Sequence, residues 1–353
     1  MAQIRPDRIE TLLVAAVSHG ASDVHIIAGH PPLFRISGQL LDAPGEPILT
    51  PEDTQNIVLS LLNDEQQQQL SKERELDFAY AVKQIARFRV NAHWERGYMG
   101  LVARAINVNP PTLQALGLNE TVSQLTNLHQ GLVLVTGPTG CGKSTSLAAM
   151  IEQINQTRST HIITLEDPIE FLFTSNKSII RQRELHRDFL SFAEALKHIV
   201  RQDPNVIMVG EMRDLETIAA ALTVAETGHL VLATLHTNGA AETIDRIIDV
   251  FPPHQQHQIR YQLSSELRAV ISQILIPNVD GGRVAAREIL MNTPAVSNLI
   301  RENKIAQLKT VMQTSAQEHM FTIDQDLKRL YNDKVITEVV ARSYMMNPEL
   351  LPN

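Results

Sequence analysis

The residue types that bind nucleotide phosphates stand together in one run of the chain, Gly137-Pro138-Thr139-Gly140-Cys141-Gly142-Lys143-Ser144-Thr145. The run contains the pattern G-x-x-x-x-G-K-[ST] of a phosphate-binding loop. Glycines let backbone N–H groups turn toward phosphate oxygens, Lys143 can reach the β- and γ-phosphates, and the Ser144 hydroxyl can ligate Mg²⁺. Cys141 occupies a variable position and is interpreted as a small filler, not a nucleophile. The run predicts a site for ATP and Mg²⁺.

Hydrolysis also needs a carboxylate that polarises water, and polar residues follow three later apolar runs. Residues 162–165 are followed by Glu166, Asp167 and Glu170, and residues 206–209 by Gly210 and Glu211. Ligands gather at the carboxyl ends of parallel strands, so these side chains are predicted to lie near Lys143. Glu211 either supports Mg²⁺ through water or acts as the general base, and Glu170 can take the other role. Glu166 and Asp167 could serve the site in the same way, or they could equally be structural residues that cap the loop or form a salt bridge.

Two histidines flank the third run, residues 230–235. His236 follows its carboxyl end and could hydrogen-bond the γ-phosphate. His229 precedes its amino end, where a structural role is as reasonable as a functional one.

Several arginines lie earlier in the chain, among them Arg87, Arg89, Arg96 and Arg104. They are either solvated charges on strands or arginine fingers that reach a nucleotide across a domain or subunit interface. Arg89, Arg96 and Arg104 are the preferred candidates for the second role.

The elements that must position these residues form an α/β protein of more than one domain. The chain has 353 residues, of which 43% are apolar, and a formal net charge of −8. The acidic balance argues against a general nucleic-acid binder, and the single cysteine excludes an intrachain disulfide. No apolar run reaches the roughly 18 residues that a membrane helix needs, so a cytoplasmic protein is expected.

Four segments are predicted. Residues 1–105 are predicted to form a small α+β domain. Residues 106–118 are predicted to be a linker, because the two prolines Pro110-Pro111 cannot lie inside a helix and stiffen a connection. Continuous aliphatic runs alternating with helical stretches predict a doubly wound α/β domain over 119–290. Residues 291–353 read as a helical subdomain. A rotation about residues 106–118 is expected to accompany nucleotide binding.

These motifs together resemble the PilT family, the retraction ATPases of type IV pili within the secretion-ATPase superfamily. Besides the phosphate loop, the resemblance rests on an aspartate box at 166–170, a Walker B segment at 210–214, a histidine box at 227–237, and the segments 21–25, 31–36, 87–91 and 243–252. The lone cysteine rules out the four-cysteine zinc motif of the assembly and secretion relatives.

The resemblance implies a PAS-like first domain and a RecA-like second domain, with ATP between them. It implies that Glu170 and Glu211 are the catalytic carboxylates and that His229 and His236 lie near the nucleotide. It also implies a homohexameric ring at the cytoplasmic face of the inner membrane. Such a ring would drive pilus retraction through a platform protein and would contact the membrane through partners only.

One departure is Ser297, which replaces the first arginine of the C-terminal retraction signature in the segment 295–302. It fits a paralogue or a type IVb-type pilus system. The alternatives to a retraction motor are a related secretion-system or type IVb pilus ATPase, or a nucleotide-gated assembly component with little turnover.

Overall fold

The computed structural model describes residues 7–36, 38–82, 86–106, 110–118 and 120–351. The chain divides into two compact units, Met1–Asn109 and Pro110–Asn353. The division falls inside the predicted linker. Residues 107–109 of that linker lie outside the described residues.

The first unit contains a six-stranded antiparallel sheet with the strand order β3-β2-β1-β6-β5-β4. Its strands are β1 (Asp23–Ile26), β2 (Leu33–Ile36), β3 (Gln39–Asp42), β4 (Glu75–Val82), β5 (Ala86–Glu95) and β6 (Tyr98–Ile106). Its helices are α1 (Asp7–Ser18), α2 (Pro51–Ser60) and α3 (Asp64–Glu73).

Alternation along β5 builds the core of this unit. Phe88, Val90 and Ala92 are buried on one face of the sheet, and Arg89 between them is exposed on the other. Helix α2 begins after Thr50, because Thr50 forms a capping box with Asp53 and proline is tolerated in the first turn. The sequence did not predict β3, whose residues are all exposed, or β4 and α3.

The second unit contains a seven-stranded sheet with the order β13-β12-β7-β11-β10-β8-β9. Only the β12–β13 pair is antiparallel. Its strands are β7 (Gly131–Thr136), β8 (His161–Glu166), β9 (Ile179–Glu184), β10 (Val206–Val209), β11 (Leu230–Leu235), β12 (Leu267–Pro277) and β13 (Arg283–Met291).

Helices cover both faces of this sheet and continue to the end of the chain. They are α4 (Glu120–Leu125), α5 (Lys143–Thr157), α6 (Phe192–Ile199), α7 (Leu215–Glu226), α8 (Ala240–Asp249), α9 (Pro253–Glu266), α10 (Pro294–Arg301), α11 (Leu308–Thr314), α12 (Ile323–Asn332) and α13 (Glu338–Tyr344).

The continuous aliphatic runs are explained by burial on both faces. Every residue of β7, β10 and β11 is buried. Strands β8, β10, β11 and β7 are parallel neighbours in matched register, so their carboxyl ends lie along one edge of the sheet. The loops that carry the predicted site residues therefore emerge side by side.

Two boundaries differ from the sequence-based prediction. The end of the predicted linker belongs to the second unit, because Leu113 and Leu118 are buried in its core. The C-terminal helices form as predicted, but they pack against the sheet rather than form a separate unit. Val296 and Ile300 of α10 join the main core, and Leu327 of α12 packs with Ile276 of β12.

Candidate functional site

The phosphate loop connects the carboxyl end of β7 to the first turn of α5. Gly137, Gly140 and Gly142 have φ angles of 141°, 77° and 90°, which favour glycine. At Gly137 a Cβ atom would lie 2.2 Å from the backbone oxygen of Gln273, so no other residue fits there. The loop backbone is thereby bent at the amino end of α5, where N–H groups can bind phosphate.

Lys143 is buried within this loop and is held by backbone oxygens. Its Nζ donates to the carbonyl oxygen of Gly137 at 2.8 Å and to that of Pro138 at 3.1 Å. Burial lowers the pKa of Lys143, while the charges of Glu211 and Glu170 act in the opposite direction. The ammonium thus hydrogen-bonds neutral oxygens and forms no salt bridge within the described part of the chain, as suits a phosphate ligand.

The loop is braced by Gln273 of β12, which the sequence analysis did not single out. Its amide donates to the backbone oxygen of Cys141 at 2.8 Å, and its Oε1 accepts from the Ser146 hydroxyl at 2.9 Å. One buried amide inside the apolar run 267–277 is the signal that could have identified it. Burial also raises the pKa of the Cys141 thiol, which agrees with the interpretation of Cys141 as a filler.

Glu211 lies at the carboxyl end of β10 in contact with two basic side chains. Its carboxylate is 2.7 Å from Arg213 and 3.1 Å from Nε2 of His236. Partial burial would raise the pKa of Glu211, but hydrogen bonds and charges from Arg213 and His236 bring it below its ordinary value. Glu211 is therefore ionised at neutral pH. Arg213 stands two residues after Glu211, and its pairing with that carboxylate was not predicted from the sequence.

His236 connects Glu211 to the phosphate loop. Its Nδ1 lies 3.4 Å from Nζ of Lys143 and 3.4 Å from the Thr139 hydroxyl. Its Nε2 faces the carboxylate of Glu211, so the ring carries a proton on Nε2 that it can donate there. The structure thus brings His236, Glu211 and Lys143 together.

Gly210 stands where a Walker B strand usually has aspartate, and the structure explains the replacement. Its N–H donates to the backbone oxygen of Leu165 at 2.7 Å. A Cβ atom at Gly210 would lie 3.2 Å from that oxygen and 3.3 Å from Cα of Glu166. An aspartate would therefore crowd the neighbouring strand, which leaves Glu211 as the available carboxylate.

The carboxylates that follow β8 have different surroundings. Glu166 is buried, and it accepts hydrogen bonds from Thr164 at 2.6 Å and from Gln182 at 3.1 Å. Burial raises the pKa of Glu166 to about 7 despite these hydrogen bonds. Glu170 is exposed and close enough to Lys143 to interact with its charge. These contacts favour a structural role for Glu166 and leave Glu170 available to a ligand.

The structure does not bring His229 to the phosphate loop. His229 precedes β11, at the opposite edge of the sheet, and its Nδ1 lies 3.0 Å from the backbone oxygen of Val224. A six-residue strand separates it from His236, which is about 20 Å at the usual rise per residue. Its contacts within this subunit favour the structural role.

The three candidate arginines lie in the first unit and are all exposed. Arg89 of β5 and Arg104 of β6 are paired across neighbouring strands, and Nε of Arg104 lies 2.8 Å from the buried carboxylate of Asp23. Arg96 occupies the β5–β6 turn with a φ of 52°, about 20 Å along the strand from Arg89. Arg89 and Arg104 therefore share one surface, whereas Arg96 lies apart from them.

The residues around the loop also fit a magnesium ion. Ser144 is half-buried in the first turn of α5, and the carboxylates of Glu170 and Glu211 both act on the charge of Lys143. Mg²⁺ prefers oxygen ligands and usually takes one or two from protein, with phosphates and water completing its shell. Within the described ranges no group of three or more His, Cys, Asp or Glu could hold a metal by itself.

A comparison with known families decides the identity of the chain. The family model described as "Type II/IV secretion system protein" matches residues 3–341. The chain belongs to this family.

Members of the family with nearly full-length similarity include pilus proteins. The type IV pilus retraction ATPase PilT of Pseudomonas aeruginosa is 47% identical over 97% of this chain and 99% of its own length. The twitching motility protein of Neisseria gonorrhoeae is 49% identical over 90% of this chain and 85% of its own. The crystal structure of the pilus retraction motor PilT with bound ADP covers 97% of this chain and 98% of that one, with 47% identity and a TM-score of 0.91.

These similarities confirm the resemblance drawn from the motifs, including the predicted fold class and the P-loop ATPase activity. The chain has a PAS-like α+β domain followed by a RecA-like domain with C-terminal helices. In the part of the chain that the structure describes, no helix is long and apolar enough to cross a bilayer.

Ser297, which departs from the retraction signature, makes hydrogen bonds to the residues around it. Its hydroxyl donates to the backbone oxygen of Ser264 at 2.9 Å and lies 3.0 Å from Oδ1 of Asn292. It therefore ties α10 to the end of α9.

Proposed function

We propose that this chain is the ATPase motor that drives retraction of a type IV pilus, the process seen as twitching motility. One observation carries the proposal. A phosphate loop with a buried lysine adjoins the Glu211–His236 pair, in a chain that is 47% identical to a pilus retraction ATPase over almost its whole length. No residue of the phosphate-loop pattern is missing.

The loop backbone and Lys143 bind the β- and γ-phosphates of ATP, with Gly137 to Thr145 surrounding them. Ser144 would hold Mg²⁺ through its hydroxyl, and Glu170 or Glu211 would support the ion through water. When bound, the ion neutralises charge on the phosphate oxygens. Without nucleotide the Lys143 ammonium donates to the backbone oxygens of Gly137 and Pro138, and it exchanges these oxygens for phosphate oxygens when ATP binds.

Glu211 orients the water that attacks the γ-phosphate. The water oxygen forms a bond to phosphorus as the bond to the leaving ADP oxygen breaks, and a water proton is directed toward the carboxylate. The low pKa of Glu211 makes it an ionised hydrogen-bond acceptor rather than a strong base. His236, held between Glu211 and Lys143, faces the γ-phosphate. Glu170 is the second carboxylate of the site.

Motor function requires more than one copy of the chain. We infer a homohexameric ring at the cytoplasmic face of the inner membrane, acting on a platform protein of the pilus. Arg89 and Arg104 are arginine fingers that reach the nucleotide from the first domain, and Arg96 is a further candidate. All three are exposed, which supports this role, but Arg104 must leave the carboxylate of Asp23 before it can meet a ligand outside its own unit.

Two experiments test the function. ATP turnover and light scattering on one purified sample should give a species of about 240 kDa, six times the chain mass of 39.3 kDa, with turnover lost in Lys143→Ala. Deleting the gene in its host should abolish twitching, and the wild-type gene, but not Lys143→Ala, should restore it.

The outcomes separate the alternatives. Normal twitching after deletion, with turnover in vitro, would favour a secretion-system motor. A ring that binds ATP without turnover, even with its partner present, would favour a nucleotide-gated assembly component.

A further inference from the structure

A second cleft of the second unit lies apart from the residues of the phosphate loop. Its volume is about 430 Å³. It is bounded by the segment before α4, by β13, and by α12 with the residues that precede it. Its polar lining comes from Arg287, Gln325, Asp326 and Arg329.

Arg287 is the unusual member of this lining. It is 6% exposed, and its guanidinium donates to the backbone oxygen of Leu116 at 2.7 Å and to that of Gly117 at 3.3 Å. Its Nε–H is buried without an acceptor among the described residues. Burying a charge on neutral oxygens is costly, because no anion offsets the loss of hydration. Burial lowers the pKa of Arg287 to about 10, so the side chain still carries its charge at neutral pH.

The nearest carboxylate is already committed to other donors. Oδ2 of Asp326 accepts the backbone N–H of Arg287 at 2.8 Å, and Oδ1 accepts from Arg329 at 2.8 Å. Arg329 also reaches Asp333 at 3.2 Å. Asp326 therefore interacts with the charge of Arg287 only through space. Arg329 is thus paired with two carboxylates, whereas the Arg287 guanidinium has no carboxylate within hydrogen-bond distance among the described residues.

The remaining walls are apolar and include one aromatic ring. They are formed by Leu118, Val122, Ile289 and Phe321. A ligand that fits would place an anionic group at Arg287 and an apolar body against this wall.

We propose that this cleft binds a small organic anion, a carboxylate or phosphate carried on an apolar body, independently of the nucleotide at the phosphate loop. Arg287 is the ligand for the anionic group. The bound anion would link Gly117 to α12 and so fasten the start of the second unit.

Isothermal titration of the full chain with phenyl phosphate, in saturating ADP and Mg²⁺, tests the proposal. Phenyl phosphate is expected to bind, inorganic phosphate to bind more weakly, and neutral benzyl alcohol not to bind. Arg287→Met should weaken phenyl phosphate binding at least about 10-fold, since it removes charged hydrogen bonds. The matched control is Arg283→Met, the same change at an exposed position of the same strand, and its affinity should match the wild type.

Gln325→Glu serves as a second variant in case Arg287→Met does not fold. Gln325 closes the capping box of α12 with Thr322, and glutamate can fill the same role. The added carboxylate should repel the probe while the helix cap stays intact. Absence of binding to the wild type, displacement of the probe by ADP, or unchanged affinity in both variants would overturn the proposal.

Discussion

The two edges of the parallel sheet in the second unit use similar residues in different ways. At the carboxyl edge, His236 lies between the cation of Lys143 and the carboxylate of Glu211. At the amino edge, the Nδ1 of His229 instead contacts the backbone oxygen of Val224. A histidine beside the same strand is thus part of a charged site at one end and of a helix–strand connection at the other. Chemistry concentrates where parallel strands end.

The largest expected effect comes from removing the cation of the carboxyl edge. Lys143→Ala deletes the ammonium that faces the phosphates, and ATP turnover should fall about 10³-fold, as for other preorganised electrostatic groups. Arg158→Ala is a control in the same unit, because that side chain donates to the backbone oxygens of Thr126 and Leu128 instead. Steady-state phosphate release measures both. Comparable losses in the two variants would show that turnover follows general stability rather than the loop.

A second test concerns the buried carboxyl of β8 at the same edge. Glu166 has a pKa of about 7 in the folded protein and 4.5 in the unfolded chain, because burial favours the neutral carboxyl. Its contribution to stability is therefore full below pH 4.5 and is lost as the pH rises through 7. Glu166→Gln stays neutral, so its stability relative to the wild type should rise by about 3 kcal/mol between pH 4.5 and pH 8. Urea midpoints across that range measure the difference. Parallel profiles for Glu166→Gln and the wild type would contradict the assignment. Exposed Glu216→Gln is the matched control.

The histidines themselves give the most direct comparison of the two edges. His236→Ala removes hydrogen bonds to Glu211 and Lys143 and should lower kcat about 10-fold. His229→Ala should leave kcat within about 2-fold and slightly lower the thermal midpoint, because it removes one hydrogen bond at a connection. Equal losses of kcat would show that His229 serves the nucleotide, for example that of a neighbouring subunit.

Much of this site could be predicted from sequence because its residues follow recognisable elements. The loop before Lys143, and Glu211 and His236 after aliphatic runs, are local patterns whose convergence follows from parallel strands. Gln273 and Arg213 were not singled out, because their roles depend on which strands become neighbours and which charges meet. Gln273 braces the loop from a strand more than 100 residues away in the chain.

The fold was predicted best where hydrophobic periodicity is strong and least well where tertiary packing decides. The buried strands β8, β10 and β11 were predicted from the continuous aliphatic runs at 162–165, 206–209 and 230–235. The exposed strand β3 has no such signal. The predicted linker 106–118 was too long, because Leu113 and Leu118 are core residues whose partners come from distant segments.

Turnover of Glu211→Gln, measured beside its ATP binding, shows whether Glu211 orients the water that attacks the γ-phosphate. The variant keeps the shape of the side chain but loses the charge that contacts Arg213 and His236. We expect Glu211→Gln to bind ATP with an affinity within a few-fold of the wild type and to have a kcat lower by about 10²-fold or more. An unchanged kcat would contradict the assignment of Glu211, and with it the account of how the carboxyl edge hydrolyses ATP.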